Sequence, residues 1–262
     1  MTAPDAEEYD LQLVDTNPDP ILDLCTTRPI CPTCSFHFKY FCYNCYSLNP
    51  CIEKLLPKVN LPLNLFVFKH FQELVGKSTV IHAKILAPDQ TSIFSYPDQI
   101  PQSIDPSTCL LLYPSKDAKT VYELAEENSL SKFTTLIVID GTWKQARGIT
   151  STESRPEHLS KHNVDTKLFL QKTQKVTLAN NKATKFWRYQ QLSASYLSTI
   201  EAIYFFFKEF LSVSPPPSSS PKTNIDDLLF FFKYFYNIVQ KNYNENPNKI
   251  FTTRHSKNYI QK

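Results

Sequence analysis

Thr135-Leu136-Ile137-Val138-Ile139-Asp140-Gly141-Thr142-Trp143 is the stretch that decides the fold. Its first five residues form a short apolar, β-branched run, which reads as a buried strand. The run ends in an acid and a glycine turn. The C-terminal mouth of a buried strand is where open α/β sheets place their sites. Lys144-Gln145-Ala146-Arg147 then opens a helix. Two readings of Asp140 stand side by side: a site acid, or a residue that only N-caps that helix while Trp143 fills the core.

Working outward, Leu63 to Phe68 is a second strand candidate, ending at Lys69-His70, and Thr108 to Tyr113 a third. A helix from about Thr120 to Asn128 separates the third from the central run. Strand, helix, strand in that order implies a parallel sheet with crossovers. Gly76-Lys77-Ser78-Thr79 has the look of a P-loop tail, but Phe71 stands where the loop's earlier glycine belongs, so an NTPase is rejected. Ser78 instead reads as the N-cap of a helix through Val80 to Leu86, stopped by Pro88. Beyond Arg147 a polar loop is expected to Lys167, with Arg155 to His158 inside it, followed by weak strand signals at Phe169 and Val176 to Leu178.

Lys185-Phe186-Trp187-Arg188-Tyr189-Gln190 interleaves aromatics with cations. That pattern suits stacking on a base or holding a carboxylate or phosphate, and equally suits an edge strand with a solvated arginine. Ser198-Thr199-Ile200-Glu201 is a capping box opening an aromatic helix to about Leu211. A Pro/Ser stretch, Ser214 to Lys222, separates it from a second aromatic helix, started by Asn224, Asp226 and Asp227 and running to about Gln240. Phe205 to Phe207 and Phe230 to Phe232 are expected to pack these helices on the sheet.

Upstream, Cys31-Pro32-Thr33-Cys34 and Cys42-Tyr43-Asn44-Cys45 have the spacing of a four-thiolate zinc site, each pair one knuckle. Cys25 and Cys51 flank them as substitute ligands, and Phe36, Phe38 and Tyr40 are expected to bury beside the metal.

The composition sets outer bounds. Among 262 residues there are three glycines, so no Gly-x-Gly-x-x-Gly phosphate cradle exists. The formal charge of +3 permits a nucleic-acid partner without demanding one. No apolar run approaches a membrane span, and the acidic N-terminus lacks the form of a secretory signal. The expected organisation is a disordered acidic tail over 1–24, a zinc module over 25–55, an α/β catalytic domain over 56–245 and a basic tail over 246–262.

Several of these blocks, in this order, resemble the DTW-domain aminocarboxypropyltransferases, in their DTWD-one-like eukaryotic branch. Asp140-Gly141-Thr142-Trp143 is similar to the family's Asp-x-Thr-Trp motif. His70-x-x-Glu73 with Ser78-Thr79, the strand into Pro114, Arg188, Leu197 to Ala202 and the paired cysteines are similar to its other blocks. Two departures stand out: the Pro/Ser insertion, and Val80 where relatives often carry glycine.

The resemblance implies an enzyme that uses S-adenosylmethionine. It would move the 3-amino-3-carboxypropyl group to N3 of a uridine in the tRNA D-loop. It also implies an α/β fold of mainly parallel sheet with flanking helices, related to the SPOUT-like knotted enzymes. Asp140, Thr142 and Trp143 then become the catalytic candidates. Pro114, Asp140, Gly141, Arg188, Ser198, Thr199 and Glu201 become the donor-binding candidates, and His70, Lys185 and Trp187 the nucleic-acid contacts. Zn2+ on Cys31, Cys34, Cys42 and Cys45 is structural. The protein is expected as a monomer in the nucleus or cytoplasm. A ribosomal-RNA enzyme and a non-catalytic zinc-bearing RNA-binding protein are the rival readings.

Overall fold

A computed structural model describes residues 7–96, 104–150, 161–188, 196–217, 223–246, 248–249 and 259–260, with backbone alone for 161–164. Five strands form one sheet: β1 (Asn64–His70), β2 (Thr91–Tyr96), β3 (Cys109–Leu112), β4 (Thr135–Asp140) and β5 (Gln174–Val176). Their spatial order is β2-β1-β4-β3-β5, and every pairing is parallel. The helices are α1 (Asp19–Leu22), α2 (Val80–Leu86), α3 (Val121–Glu126), α4 (Trp143–Thr150), α5 (Lys161–Lys172), α6 (Thr199–Val213) and α7 (Phe230–Asn244). The architecture is the α/β one expected from the sequence.

Strand parity sorts the core into two layers. Leu136 and Val138 of β4 join Leu65, Val67 and Leu110 in the larger cluster, with α2, α6 and α7. Ile137 and Ile139 face the other way, toward Phe68, Leu111, Ile149 and Leu170. By the same period of two, Asp140 falls on the α2 and α6 side and His70 on the opposite one. The aromatic triplets are buried as expected: Phe205 to Phe207 and Phe230 to Phe232 all lie in the main cluster. Each such ring stabilises the fold by about 1.5–3 kcal/mol on burial.

Four local expectations are corrected. The stretch taken as polar loop to Lys167 and as strand at Phe169 is helical from Lys161 to Lys172. Its apolar residues crowd into the last turns instead of spacing along one stripe, so periodicity did not reveal it. The strand β2 was not foreseen. It is an edge strand of mixed Thr, Ser and aromatic residues, paired on one side only. Ser78 does not cap α2. Thr79 takes that place, and the Ser78 hydroxyl is used elsewhere. Residues 7–24 are not a structureless tail. Leu11, Val14 and Leu22 are buried in the main core, and Thr16 donates twice to Asp227, through N at 2.8 Å and Oγ1 at 3.0 Å. An acidic composition conceals three well-spaced anchors. Arg155 to His158, Tyr189-Gln190, residues 218–222 and most of the C-terminal stretch lie outside the described residues.

The paired cysteines form a compact module on this frame. Each knuckle is closed by an antiparallel bridge, Ile30 with His37 and Phe41 with Leu48. Phe41 sets its ring edge-on against Phe231 of α7 at 5.1 Å, and the Tyr40 hydroxyl donates to that of Tyr234 at 3.2 Å. Phe38 is buried beside Cys31 and Cys42 as expected, whereas Phe36 is exposed.

Candidate active site

Two strands that leave the sheet in opposite directions define a crevice at their C-terminal ends. Here they are β1, which continues to β2 at one edge, and β4, which continues to β5 at the other. The last residue of β4, Asp140, stands in register opposite Lys69, the last but one of β1. The glycine turn follows at once. A Cβ at Gly141 would sit 2.9 Å from Gln145 Oε1 and 3.3 Å from His70 Cβ, so the turn is tight against its neighbours.

Asp140 is almost sealed, at 2% exposure. It does not cap α4. There Thr142 and Gln145 serve each other, with Thr142 N–H donating to Gln145 Oε1 at 2.6 Å and Gln145 N–H to Thr142 Oγ1 at 3.3 Å. The Asp140 carboxylate instead accepts from Ser78 Oγ at 2.6 Å and from Thr199 Oγ1 at 2.7 Å. Burial pushes its pKa up, and the two hydroxyls and the Lys69 charge only partly oppose that. The arrangement ties together the entry to α2, the end of β4 and the first residue of α6.

Beside this knot of hydrogen bonds lies a cavity of about 340 Å3. It opens over the C-terminal ends of β3, β4 and β5. Its walls include Pro114, Gly141, Trp143 and Thr199, four of the expected residues. Trp143 stands between two tyrosines that also line the cavity: Tyr196, edge-on at 4.7 Å, and Tyr113 at 6.3 Å. The polar side is Thr177, Asn180, Asn181 and Lys182, in the segment after β5. Sequence reading missed Tyr113, Tyr196 and this polar segment. The only signal was the three-residue β5 before it, too short to mark a strand end.

Other expected residues lie apart from the cavity. Arg188 donates from Nη2 to the carbonyl of Gly76 at 2.7 Å, strapping the loop after β1. Trp187 packs on Phe186, Phe232 and Phe235 at 5.0–6.0 Å between ring centroids, which makes it part of the core's flank. Lys185 places its ammonium 3.4 Å from Glu8 and over the rings of Tyr9 and Tyr236. Glu201 is fully buried, and its two oxygens receive Tyr9 Oη, Lys185 N–H, Thr184 Oγ1, Ser198 N–H and Ser198 Oγ at 2.6–2.8 Å. Ser198 and Glu201 make the capping box read from the sequence. His70 is in the crevice, its ring stacked on that of Phe71 at 4.7 Å.

Cys31, Cys34, Cys42 and Cys45 converge, with all four Sγ atoms within 4.8 Å of one another. A tetrahedron of thiolates around zinc has S···S edges of about 3.8 Å, so the set fits such an ion after a small contraction. Cys25 and Cys51 are not part of it. They pair with each other, Sγ to Sγ at 3.1 Å. Burial, and after it the charge of Asp140, pushes the Tyr46 phenol up, so module and acid share one electrostatic environment.

Comparison with known proteins gives this geometry its context. The chain is 31% identical to tRNA-uridine aminocarboxypropyltransferase 1 of Xenopus tropicalis, over 81% of this chain and 79% of that protein. It is 28% identical to the protein of the same name from Xenopus laevis, over 81% and 80%. Against that of Mus musculus the identity is 25%, over 90% and 92%. No solved structure matches the chain significantly. The family model described as the DTW domain matches residues 39–240, from inside the cysteine module to the end of the aromatic helices. With most of its length matched, including β4 and the turn that ends it, the chain belongs to the DTW-domain family.

Proposed function

We propose that this protein transfers the 3-amino-3-carboxypropyl group of S-adenosylmethionine to N3 of a uridine in the tRNA D-loop. The relatives' name, tRNA-uridine aminocarboxypropyltransferase 1, supplies the reaction class and the tRNA substrate. One observation carries the reading to this chain: the aromatic-walled cavity whose inner wall, Thr199, is held by the buried Asp140.

The cavity suits the donor in three ways. Tyr113, Trp143 and Tyr196 offer π faces and edges to an adenine and to a positively charged sulfonium. The N-terminus of α6 opens on the cavity through Thr199 and Ala202, and its dipole favours a carboxylate there, while the Lys182 ammonium on the polar side is paired with Glu7. Thr199 spends its only hydroxyl proton on Asp140, which leaves its oxygen lone pairs as acceptors for an ammonium group. Bound there, S-adenosylmethionine would supply an electrophilic carbon beside its sulfonium: the N3–C bond forms as the C–S bond breaks, methylthioadenosine leaves, and the N3 proton passes to water.

The chain's own part is selection. Holding both ends of the amino-acid moiety presents the longer carbon chain, instead of the methyl group, in line with the nucleophile. Asp140 acts through Thr199 and Ser78, as a positioning residue. Zn2+ on the four cysteines is structural: it fixes the module that packs on α7 through Tyr40 and Phe41.

The test is direct. Purified protein, S-adenosylmethionine and an unmodified tRNA transcript are incubated, and the digested nucleosides are analysed by mass spectrometry. Aminocarboxypropyluridine from a D-loop position is the expected product. Product in ribosomal RNA alone, or RNA binding without product, rejects the reading. Elemental analysis should return one zinc per chain.

A further inference from the structure

Of the three expected contacts of the acceptor RNA, Lys185 and Trp187 are engaged within the protein and His70 alone stands at the crevice, while the cavity faces β3 and β5. The opposite side of the Gly141 turn carries a different feature. The last residue of β1, His70, stacks its ring on Phe71 at 4.7 Å and 28°, and on Tyr96 of the neighbouring strand at 6.2 Å and 27°. Phe71 is 66% exposed, and Leu74 and Val75 after it are exposed too. Three exposed apolar residues within five positions form an apolar tip, a patch of the kind that marks an interaction site. Here Lys69 and Lys77 bracket the tip in sequence, and Arg188 holds the loop's carbonyl at Gly76. Lys69, Lys77 and Arg188 all lie within electrostatic reach of Glu73 in this loop, so the exposed ring belongs to a segment in which cations outnumber the acid, a setting that complements a nucleic acid, whose backbone is anionic and whose bases stack.

The His70 ring is oriented by the chain itself. The backbone N–H of Gln72 donates to His70 Nδ1 at 3.2 Å. The proton of the neutral ring therefore sits on Nε2, as a hydrogen-bond donor. A uracil presents carbonyl oxygens at O2 and O4 on either side of N3, whereas cytosine replaces O4 with an amine donor. Gly141 lies between the platform and the cavity: its backbone lines the cavity, and His70 Cβ packs against the place where its own Cβ would be.

We propose that His70 and Phe71 form the platform that receives the base to be modified, with Phe71 stacking on the extruded pyrimidine and His70 Nε2 donating to a uracil carbonyl. This rests on the tRNA reading above and adds the residues that touch the acceptor. A base must leave its stack to enter such a site, and a stacking surface beside the crevice offsets part of that cost.

Phe71→Ala, Phe71→Trp, His70→Gln and His70→Ala are compared with the unaltered protein. Phe71 is exposed, so its replacement should leave thermal melting unchanged. The expected result for Phe71→Ala is a rise of about tenfold or more in KM for tRNA, with KM for S-adenosylmethionine unchanged. Phe71→Trp should restore tRNA affinity, and its added fluorescence over the unaltered protein should be quenched by the tRNA transcript. His70→Gln, which keeps a donor, should lose less than His70→Ala. Unaltered tRNA kinetics in Phe71→Ala, or no added quench in Phe71→Trp, overturns the platform and leaves the tip to a protein partner. Quenching in a protein that makes no product keeps the platform and rejects the transfer reading, so the two failures are distinguishable.

Discussion

Asp140 and Glu201 are both buried carboxylates in hydrogen-bond contact with the first residues of α6, yet they are satisfied in opposite ways. Glu201 receives five donors, two of them backbone N–H groups: Lys185 on Oε1 and Ser198 on Oε2. Asp140 receives two, and both are side-chain hydroxyls. A hydroxyl rotates and can donate or accept, whereas a backbone N–H is fixed and can only donate. Glu201 is therefore locked into the fold from both oxygens. Asp140 keeps spare lone pairs, sits beside a cavity and has its pKa raised by burial. The difference separates an acid locked into the fold from one that orients the cavity wall through Thr199, without any appeal to sequence motif.

The comparison is broken most sharply by amide substitutions. Glu201→Gln places an amide –NH2 where one oxygen stood. Whichever way it turns, either Lys185 N–H or Ser198 N–H then faces a donor and is orphaned. The expected loss is about 3 kcal/mol, since a buried unsatisfied donor and a lost charge-assisted bond add up. At about 2–4 °C per kcal/mol for a chain of this size, melting should fall by roughly 10 °C. Asp140→Asn should do the reverse. Whichever of Ser78 and Thr199 faces the amide nitrogen can turn to accept while the other still donates to Oδ1, and a buried charge is removed, so melting should hold or rise. Its effect falls on the donor: the carboxylate charge behind Thr199 is gone and Thr199 is no longer constrained to donate away from the cavity, so kcat/KM should drop by about 100-fold, or ~2.7 kcal/mol. A large melting loss in Asp140→Asn, or a small one in Glu201→Gln, would reverse the two roles.

The sign of the pH dependence follows from the same contrast. Asp140 has a folded pKa above its unfolded one, so the folded state holds its proton more tightly. Its ionisation costs stability as pH rises through the folded pKa, and that cost is absent below the unfolded value. Acid should then stabilise this site while weakening donor binding, and the acid limb of binding should lie above the ordinary aspartate range. Asp140→Asn should flatten that limb. Thr199→Val is a milder change. It removes the acceptor but leaves Ser78 on Asp140, so KM for S-adenosylmethionine should rise about tenfold with kcat less affected; calorimetric titration of the donor checks it.

How much of this could be read from the chain follows the range of each interaction. The position of Asp140 was legible because strand end and glycine turn are local. The Ser198–Glu201 box was legible because its partners are three residues apart. The cysteine pairs announced themselves by spacing. What the pattern could not give was distance: Ser78 lies 62 residues from Asp140 and Thr199 lies 59. Ser78 looked like a helix cap because Ser before an apolar run usually is one. Tyr113 and Tyr196 reach the same tryptophan from different ends of the chain, and no periodicity records that.

Tyr9 provides the finest test of the contrast. It comes from the segment whose composition suggested a tail, and its hydroxyl donates to Glu201 Oε1 at 2.7 Å across 192 residues. Its ring lies edge-on to Phe205 at 4.9 Å and 88°. Burial, then the charge and hydrogen bond of Glu201, push the phenol well above its usual pKa, so it stays protonated as a donor through the physiological range. Tyr9→Phe keeps the ring contact and removes one donor of five. Glu201 Oε1 still receives Lys185 N–H, so no backbone group is orphaned and the cost should be only about 1 kcal/mol, or 2–4 °C in melting. A loss as large as that of Glu201→Gln would mean that the five donors act as a cooperative unit and that the N-terminal segment closes the network. A loss near the small value means that the two backbone N–H groups hold Glu201, and that the N-terminal segment packs onto a network already made.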